Sequence, residues 1–335
     1  MRVRAKRVKA VGKAARRSAP NEQVTAAGQE WRTFTRKFLV AAALFFIPLS
    51  LAPESWYRPL NRLTALLSGE LLQLLTTDVM VRGTYIRIHG FSVNVIAECS
   101  AIHLIALCSA FMLAFPATAN QRKIGIGAGT SLLFVLNIIR IACVSMIGAW
   151  QPVVFNTAHI YFGQLVMIGA VIVICLGWLQ WITKPMVLDG PMGFALRFFV
   201  FTSLPFLFWI PFNRIYVEAI DIIIQKIFAL ASYNLKIPHA HALYYQTFSI
   251  VVLGGLLWAF KEVAWRKKIR WTAIGFAVLT LFQIAFRMCN VWISAFNIGW
   301  MTFVAQVVYN ACVYLLPPGI ALFFFQRYRF AKAQT

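Results

Sequence analysis

The sequence predicts an all-α polytopic membrane protein with about eight transmembrane helices, and two observations carry this prediction. First, 60% of the 335 residues are hydrophobic and only 13% are charged, whereas soluble domains average about 45–50% apolar and about 25% charged residues. Second, long apolar segments recur along the chain, and a helix needs about 20 such residues to cross a bilayer. These two observations exclude an ordinary soluble domain.

The predicted membrane helices are mostly apolar and flanked by polar or basic residues. They cover 36–53, 95–116, 124–149, 157–182, 195–212, 244–261, 271–296 and 301–325. They divide the chain into a basic tail at 1–35, a first membrane region at 36–185 and a second four-span region at 186–335.

The net charge of +22 comes mainly from lysine and arginine at the chain ends and in short loops. Such residues stay on the cytoplasmic side of a membrane, so both termini are predicted to be cytoplasmic. Contact with anionic lipid, rather than with nucleic acid, accounts for this charge. The tail at 1–35 lacks the apolar core of a secretory signal peptide, although a mitochondrial presequence would have a similar composition.

Two outer segments follow the first predicted span. Residues 56–78 carry apolar residues at helical spacing among charged ones, which predicts a helix lying along the membrane interface. Residues 79–95 alternate apolar and polar side chains around Gly83 and Gly90, which predicts a short β ribbon. The ribbon leads the chain directly to Cys99.

The two halves of the chain resemble each other at an offset of 147 residues. The aligned pairs include Arg140 with Arg287, His159 with Gln306, and Cys99 with Gln246. Two parallel four-helix repeats would explain the pattern, since internal symmetry is common in membrane folds. Coincidence of hydrophobic patterning is the alternative. If the repeat is genuine, the second half retains the arginine and lacks the thiol and the imidazole.

Three polar residues on consecutive predicted spans converge at one depth. Cys99 lies within about one turn of the outer end of its span, Arg140 about two-thirds along the next, and His159 in the first turn of the third. An arginine inside a span costs about 2.5–3.5 kcal/mol, so such residues usually have a partner or a function.

These residue types suit acyl transfer. A thiol attacks well as thiolate, which a nearby cation or imidazole promotes. His159 would take the thiol proton and return one to the leaving amine, while Arg140 would stabilise the thiolate or the oxyanion. The sequence therefore predicts a cysteine acyl-transfer site that needs no cofactor and no metal.

Other assignments remain open at this point. His103 lies four residues after Cys99, so on one helix these two would share a face and could form the dyad, or bind a metal together with Glu98. A metal site usually has three or four ligands at defined spacing, and no CxxC or HExxH pattern occurs. The remaining histidines are His89, expected to approach the site from the ribbon, and His239 and His241, expected in a solvated outer loop.

The motifs at these positions resemble the exosortase and archaeosortase family of membrane transpeptidases. The matching segments are "ECSAI" at 98–102, "NIIRI" at 137–141 and "AHIYFG" at 158–163. The resemblance covers about residues 36–182 and puts the family's catalytic Cys, Arg and His on Cys99, Arg140 and His159. The polar residues expected to contact substrate or support these three are Glu98, Ser100, His103 and Asn137. The family commonly has glycine where this chain has Ala101.

The resemblance implies a membrane cysteine protease or transpeptidase that faces the outer side of the cell (inner or plasma) membrane. Its expected partners are exported proteins with a C-terminal motif, a transmembrane helix and a basic tail. Two other classes compete with this one. Arg140 and Arg287 would suit a transporter or lipid carrier that binds an anionic solute, and a structural subunit would use the same residues only to join helices.

Overall fold

The structure is a computed structural model that describes residues 32–183, 191–230, 232–237 and 244–334. Most of the basic tail, Lys184, His239 and His241 lie outside the described residues. The described residues are mainly helical and include one small antiparallel sheet. The predicted all-α polytopic membrane fold is therefore confirmed.

Six helical stretches are long and apolar enough to cross a membrane among the described residues. They are Arg32–Leu51, Ala119–Trp150, Pro152–Thr183, Met192–Leu230, Trp265–Phe296 and Met301–Phe325. Two further apolar helices, Ile102–Ala114 and Tyr245–Ala259, are shorter. Eight apolar helical segments thus exist where the sequence predicts eight spans, but only six reach full length.

The first two helices meet at Pro53. Helix α1 covers Arg32–Leu51 and helix α2 covers Glu54–Gln73. Proline suits the start of a helix because its missing N–H would have no partner there. One face of α2 is buried and the other exposes apolar and charged side chains, as expected of the predicted interfacial helix.

The predicted ribbon is a three-stranded antiparallel sheet. Its strands are β1, Val79–Arg82; β2, Tyr85–Ile88; and β3, Phe91–Asn94. Gly83 and Gly90 occupy the two turns with positive φ, which glycine adopts without steric cost. Ile86, Ile88 and Val93 are buried on one face, and β2 and β3 pack on helix α4.

After the sheet, the chain makes a 3₁₀ turn at Ala97–Cys99 before helix α3, Ile102–Ala114, begins. The predicted helix start at residue 95 is therefore wrong. The break lies at Ala101, whose φ of 58° is left-handed and incompatible with a right-handed helix. Cys99 precedes the membrane helix instead of lying in its first turn.

Helix α4, Ala119–Trp150, opens with a capping box formed by Thr118 and Gln121. A 3₁₀ turn at Pro152–Val154 then leads into a continuous helical run. This run consists of α5, Phe155–Ile160; a π-helical turn, Tyr161–Val166; and α6, Met167–Thr183.

Among the described residues, the second half repeats part of this order, without a counterpart of the sheet or of the 3₁₀ turn after α4. It contains α7, Pro191–Leu230; a 3₁₀ turn, Tyr245–Phe248; α8, Ser249–Ala259; α9, Trp265–Phe296; α10, Met301–Asn310; a π-helical turn, Ala311–Leu315; and α11, Leu316–Gln334. Helices α4 and α9 each have 32 residues. Helix α7 extends well beyond the predicted end at 212, despite prolines at 205 and 211.

Candidate active site

Cys99 ends the 3₁₀ turn and is 5% exposed. It packs in a small apolar cluster with residues of α2, the sheet and α4, including Leu72, Ile86 and Ile141. The Ser100 hydroxyl donates to the Ala97 carbonyl at 2.7 Å and so closes the turn. The fold thus holds Cys99 between α2, the sheet and α4.

Asn137 links the Cys99 turn to Arg140. Its Nδ2 donates to the Cys99 carbonyl at 2.7 Å, and its Oδ1 accepts from Arg140 Nη1 at 3.0 Å. Asn137 and Arg140 are three residues apart on α4 and therefore share a face. Because Asn137 is fully buried and Arg140 is 6% exposed, this hydrogen-bond chain is shielded from solvent.

The guanidinium of Arg140 lies against Gly163 of the π-helical turn that follows His159. A methyl group built on Gly163 would lie 3.6 Å from Arg140 Nη2. Within the described ranges, Arg140 Nε has no hydrogen-bond partner and no carboxylate pairs with this side chain. A buried cation with a free donor suits an anion that binds or forms during a reaction.

His159 lies in the last turn of α5 and is half-buried. Its ring stacks on Phe155 at 5.7 Å and meets the Tyr245 ring edge-on at 6.2 Å. Phe155 in turn packs against Phe91 of β3 at 5.1 Å. His159 is also close enough to Arg140 for an electrostatic interaction between them.

The structure therefore brings Cys99, Arg140 and His159 into one region without joining them directly. Asn137 connects Cys99 to Arg140, and Arg140 lies along the turn that follows His159. Across the described part of the chain, no hydrogen bond links the three side chains to one another. Such contacts are often long in unliganded sites and tighten only when substrate binds.

The remaining predicted residues near Cys99 have different environments. Glu98 is exposed, and Ser100 is buried in the turn. Burial and, to a smaller extent, the Glu98 carboxylate raise the pKa of the Tyr57 phenol on α2. His103 is 5% exposed, stacks on Tyr314 at 5.3 Å, and its Nε2 has no partner among the described residues.

The structure does not support a common helix face for Cys99 and His103, because Cys99 precedes α3. His89 lies in the second turn of the sheet, where it pairs with Asp78 at 3.3 Å and Thr76 at 3.1 Å. In the part of the chain that the structure describes, no three His, Cys, Asp or Glu residues cluster as metal ligands do.

Two residues of the second half were not selected from the sequence. Tyr245 and Tyr314 both lie within electrostatic range of Cys99, and Tyr314 also within that of Arg140. Tyr245 lies at the end of its apolar helix, where tyrosine is usually an interfacial anchor, and Tyr314 lies within the apolar span Met301–Phe325. The sequence therefore carried no signal that would separate these two from ordinary aromatic residues.

The second half has a similar polar arrangement with one difference. Gln283 Nε2 donates to the Gln246 carbonyl at 3.2 Å, as Asn137 does to that of Cys99. Arg287, however, forms two hydrogen bonds with Asp221, at 2.7 and 2.9 Å. Arg287 thus has a carboxylate partner of its own, which weakens the argument for two equivalent anion sites.

These features define a polytopic membrane protein in which buried Cys99 and Arg140 and half-buried His159 lie in one region. Residues 24–178 match the family model described as Transmembrane exosortase (Exosortase_EpsH). The resemblance to the exosortases is confirmed over this region, which contains every predicted catalytic and supporting residue. Searches of curated proteins and of solved structures found no match to the chain.

Proposed function

We propose that this protein is an exosortase-type membrane cysteine peptidase or transpeptidase that cleaves C-terminal sorting tails of exported proteins. One observation carries the proposal: Arg140 is a buried cation with no carboxylate partner among the described residues, and Asn137 joins it to the turn that holds Cys99. The exosortase match over residues 24–178 supports the same reading.

The proposed reaction starts when the Cys99 thiol loses its proton to His159 and its sulfur attacks the scissile carbonyl carbon. Arg140 stabilises the negative charge that develops on the carbonyl oxygen. The C–N bond then breaks, His159 returns the proton to the leaving amine, and a thioester remains on Cys99. An acceptor nucleophile or water attacks this thioester and releases Cys99.

The expected substrates are exported proteins with a C-terminal motif, a transmembrane helix and a basic tail. The substrate helix would lie in the membrane against the exposed apolar faces of α1 and α7, with its motif at the site and its basic cluster in the cytoplasm. Cleavage would then occur at the outer side of the cell membrane.

The test compares cells whose only copy is wild type, Cys99→Ala or Cys99→Ser. Mass spectrometry of the C-terminal peptides of exported proteins should detect tail removal with the wild type alone. Cys143→Ser is the matched control because Cys143 lies on α4 and is exposed. Normal tail removal by either Cys99 variant would refute the proposal, provided that both insert to the wild-type level.

A further inference from the structure

The second half of the chain contacts the candidate site through Tyr245. This residue opens the 3₁₀ turn Tyr245–Phe248 and lies outside the region that matches the exosortases. Its ring meets the His159 imidazole at 6.2 Å and 88°. It is also close enough to Cys99 for an electrostatic interaction, so one side chain lies near both the nucleophile and the base.

The turn that carries Tyr245 is firmly held by α7 and α9. Asn213 Oδ1 accepts from the Tyr244 amide at 2.9 Å, and its Nδ2 donates to the Tyr244 carbonyl at 3.2 Å and also contacts Thr247. Gln283 donates to the Gln246 carbonyl on the other side of Tyr245. A side chain on such a supported turn can fix the position of its neighbour.

His159 depends on ring contacts for its orientation. Among the described residues, no hydrogen bond to the imidazole orients it, whereas catalytic bases are commonly oriented by a third group. Phe155 covers one face of the imidazole and Tyr245 packs at a right angle to it. Removal of the Tyr245 ring would leave the imidazole with the Phe155 stack as its one remaining ring contact among the described residues.

We propose that Tyr245 is a positioning residue that holds the His159 imidazole toward Cys99, so the second half completes the active site of the first. This inference rests on the proposed function. It assigns to residues outside the exosortase match a role in the reaction itself.

The test is a double-mutant cycle read out by alkylation of Cys99. Purified protein is treated with iodoacetamide between about pH 5 and about pH 9, where thiol and imidazole titrate, and Cys99 and Cys143 peptides are quantified by mass spectrometry. Exposed Cys143 serves as the internal reference. Among the described residues, the other charged or titratable groups around Cys99 and His159 are Glu98, Arg140, Tyr245, Tyr309 and Tyr314.

Tyr245→Ala should abolish the His159-dependent part of the pH profile of Cys99 alkylation. The double variant, Tyr245→Ala with His159→Ala, should have the same profile as His159→Ala alone. Tyr245→Phe keeps the ring and should retain the wild-type profile. Processing by Tyr245→Ala should fall by about 10–100-fold, the cost of a misplaced catalytic group.

Phe248→Ala is the matched control, since Phe248 is fully buried on the same turn and packs against Phe206. It should lower protein yield and leave the His159-dependent profile intact. A wild-type profile for Tyr245→Ala, or additive effects in the double variant, would overturn the inference. Tail removal by Cys99→Ala would instead overturn the proposed function, so the two failures are distinguishable.

Discussion

Arg140 and Arg287 differ in the groups that surround them. Arg287 has its charge balanced by Asp221, while Arg140 is hydrogen-bonded only to the neutral amide of Asn137 among the described residues. A buried charge without a counter-ion costs free energy, so a residue of this kind inside a membrane protein usually has a function. From this contrast we expect Arg287 to stabilise the fold and Arg140 to be available for chemistry.

Replacement of Arg287 should therefore reduce stability rather than the chemistry at Cys99. Arg287→Met should destabilise the protein by about 3–5 kcal/mol because it removes the guanidinium that pairs with the buried Asp221 carboxylate, whereas Arg287→Met with Asp221→Leu should restore stability. Resistance to unfolding in SDS would measure the stability of each variant. Tail removal per inserted molecule would measure the chemistry at Cys99. Loss of processing in the stable double variant would contradict this assignment.

Ala101 carries a left-handed backbone at the start of α3. This conformation costs a non-glycine residue about 1–2 kcal/mol, a cost that the glycine expected here from the resemblance would avoid. We expect Ala101→Gly to stabilise the protein by about 1 kcal/mol, since glycine's greater freedom when unfolded offsets part of the gain. Thermal unfolding in detergent would measure the change.

Ala110→Gly provides the control for that prediction. Ala110 is fully buried in the interior of the same helix, where glycine costs about 1 kcal/mol. The two substitutions should shift the melting temperature in opposite directions. A loss of stability with Ala101→Gly would argue against the left-handed conformation at this position.

At the scale of elements, hydrophobic pattern predicted most of the fold because long apolar runs have few other stable conformations. It could not locate the start of α3, because a single left-handed residue does not change the apolar character of 95–116. It also ended α7 too early at 212. The segment that follows mixes charged and apolar residues and remains helical, since Ile220, Ile224 and Phe228 are buried against α9. The i,i+4 pair of Arg214 and Glu218 at 2.9 Å adds to this.

Of the candidate site, the sequence could predict the depth of each residue in the membrane. Cys99, Arg140 and His159 could be placed at one level because each lies a known number of residues from a span end. The hydrogen bond from Asn137 to the Cys99 carbonyl and the contact of Tyr245 with His159 depend on tertiary packing. No spacing within a single segment encodes contacts of that kind.

For the whole molecule, the two halves share one interior. Asn310 Nδ2 donates to Ser50 Oγ at 2.8 Å, and Tyr161 pairs with Ser203 at 3.0 Å. The Tyr314 ring also packs against Phe46 at 6.3 Å. These contacts join α1 to α10 and the π-helical turns to the opposite half.

We expect that a chain divided between Thr183 and Pro191 regains function when both fragments are expressed together. The first fragment alone should insert and remain inactive, because it lacks Tyr245 and Tyr314. Tail removal and co-purification of the fragments would measure the outcome. Full activity of the first fragment alone would show that the second half has no part in catalysis.

The small sheet is linked to Cys99 by packing and to His159 through a chain of ring contacts. Strand β3 continues through Val95, whose amide donates to the Thr84 carbonyl at 2.8 Å, and reaches Cys99 four residues later. Phe91 on the same strand supports His159 through Phe155. A displacement of β3 would therefore shift Cys99 and His159 together. We expect an antibody fragment that binds the exposed side of this sheet to lower the proposed tail removal, without entering the membrane or competing for the substrate.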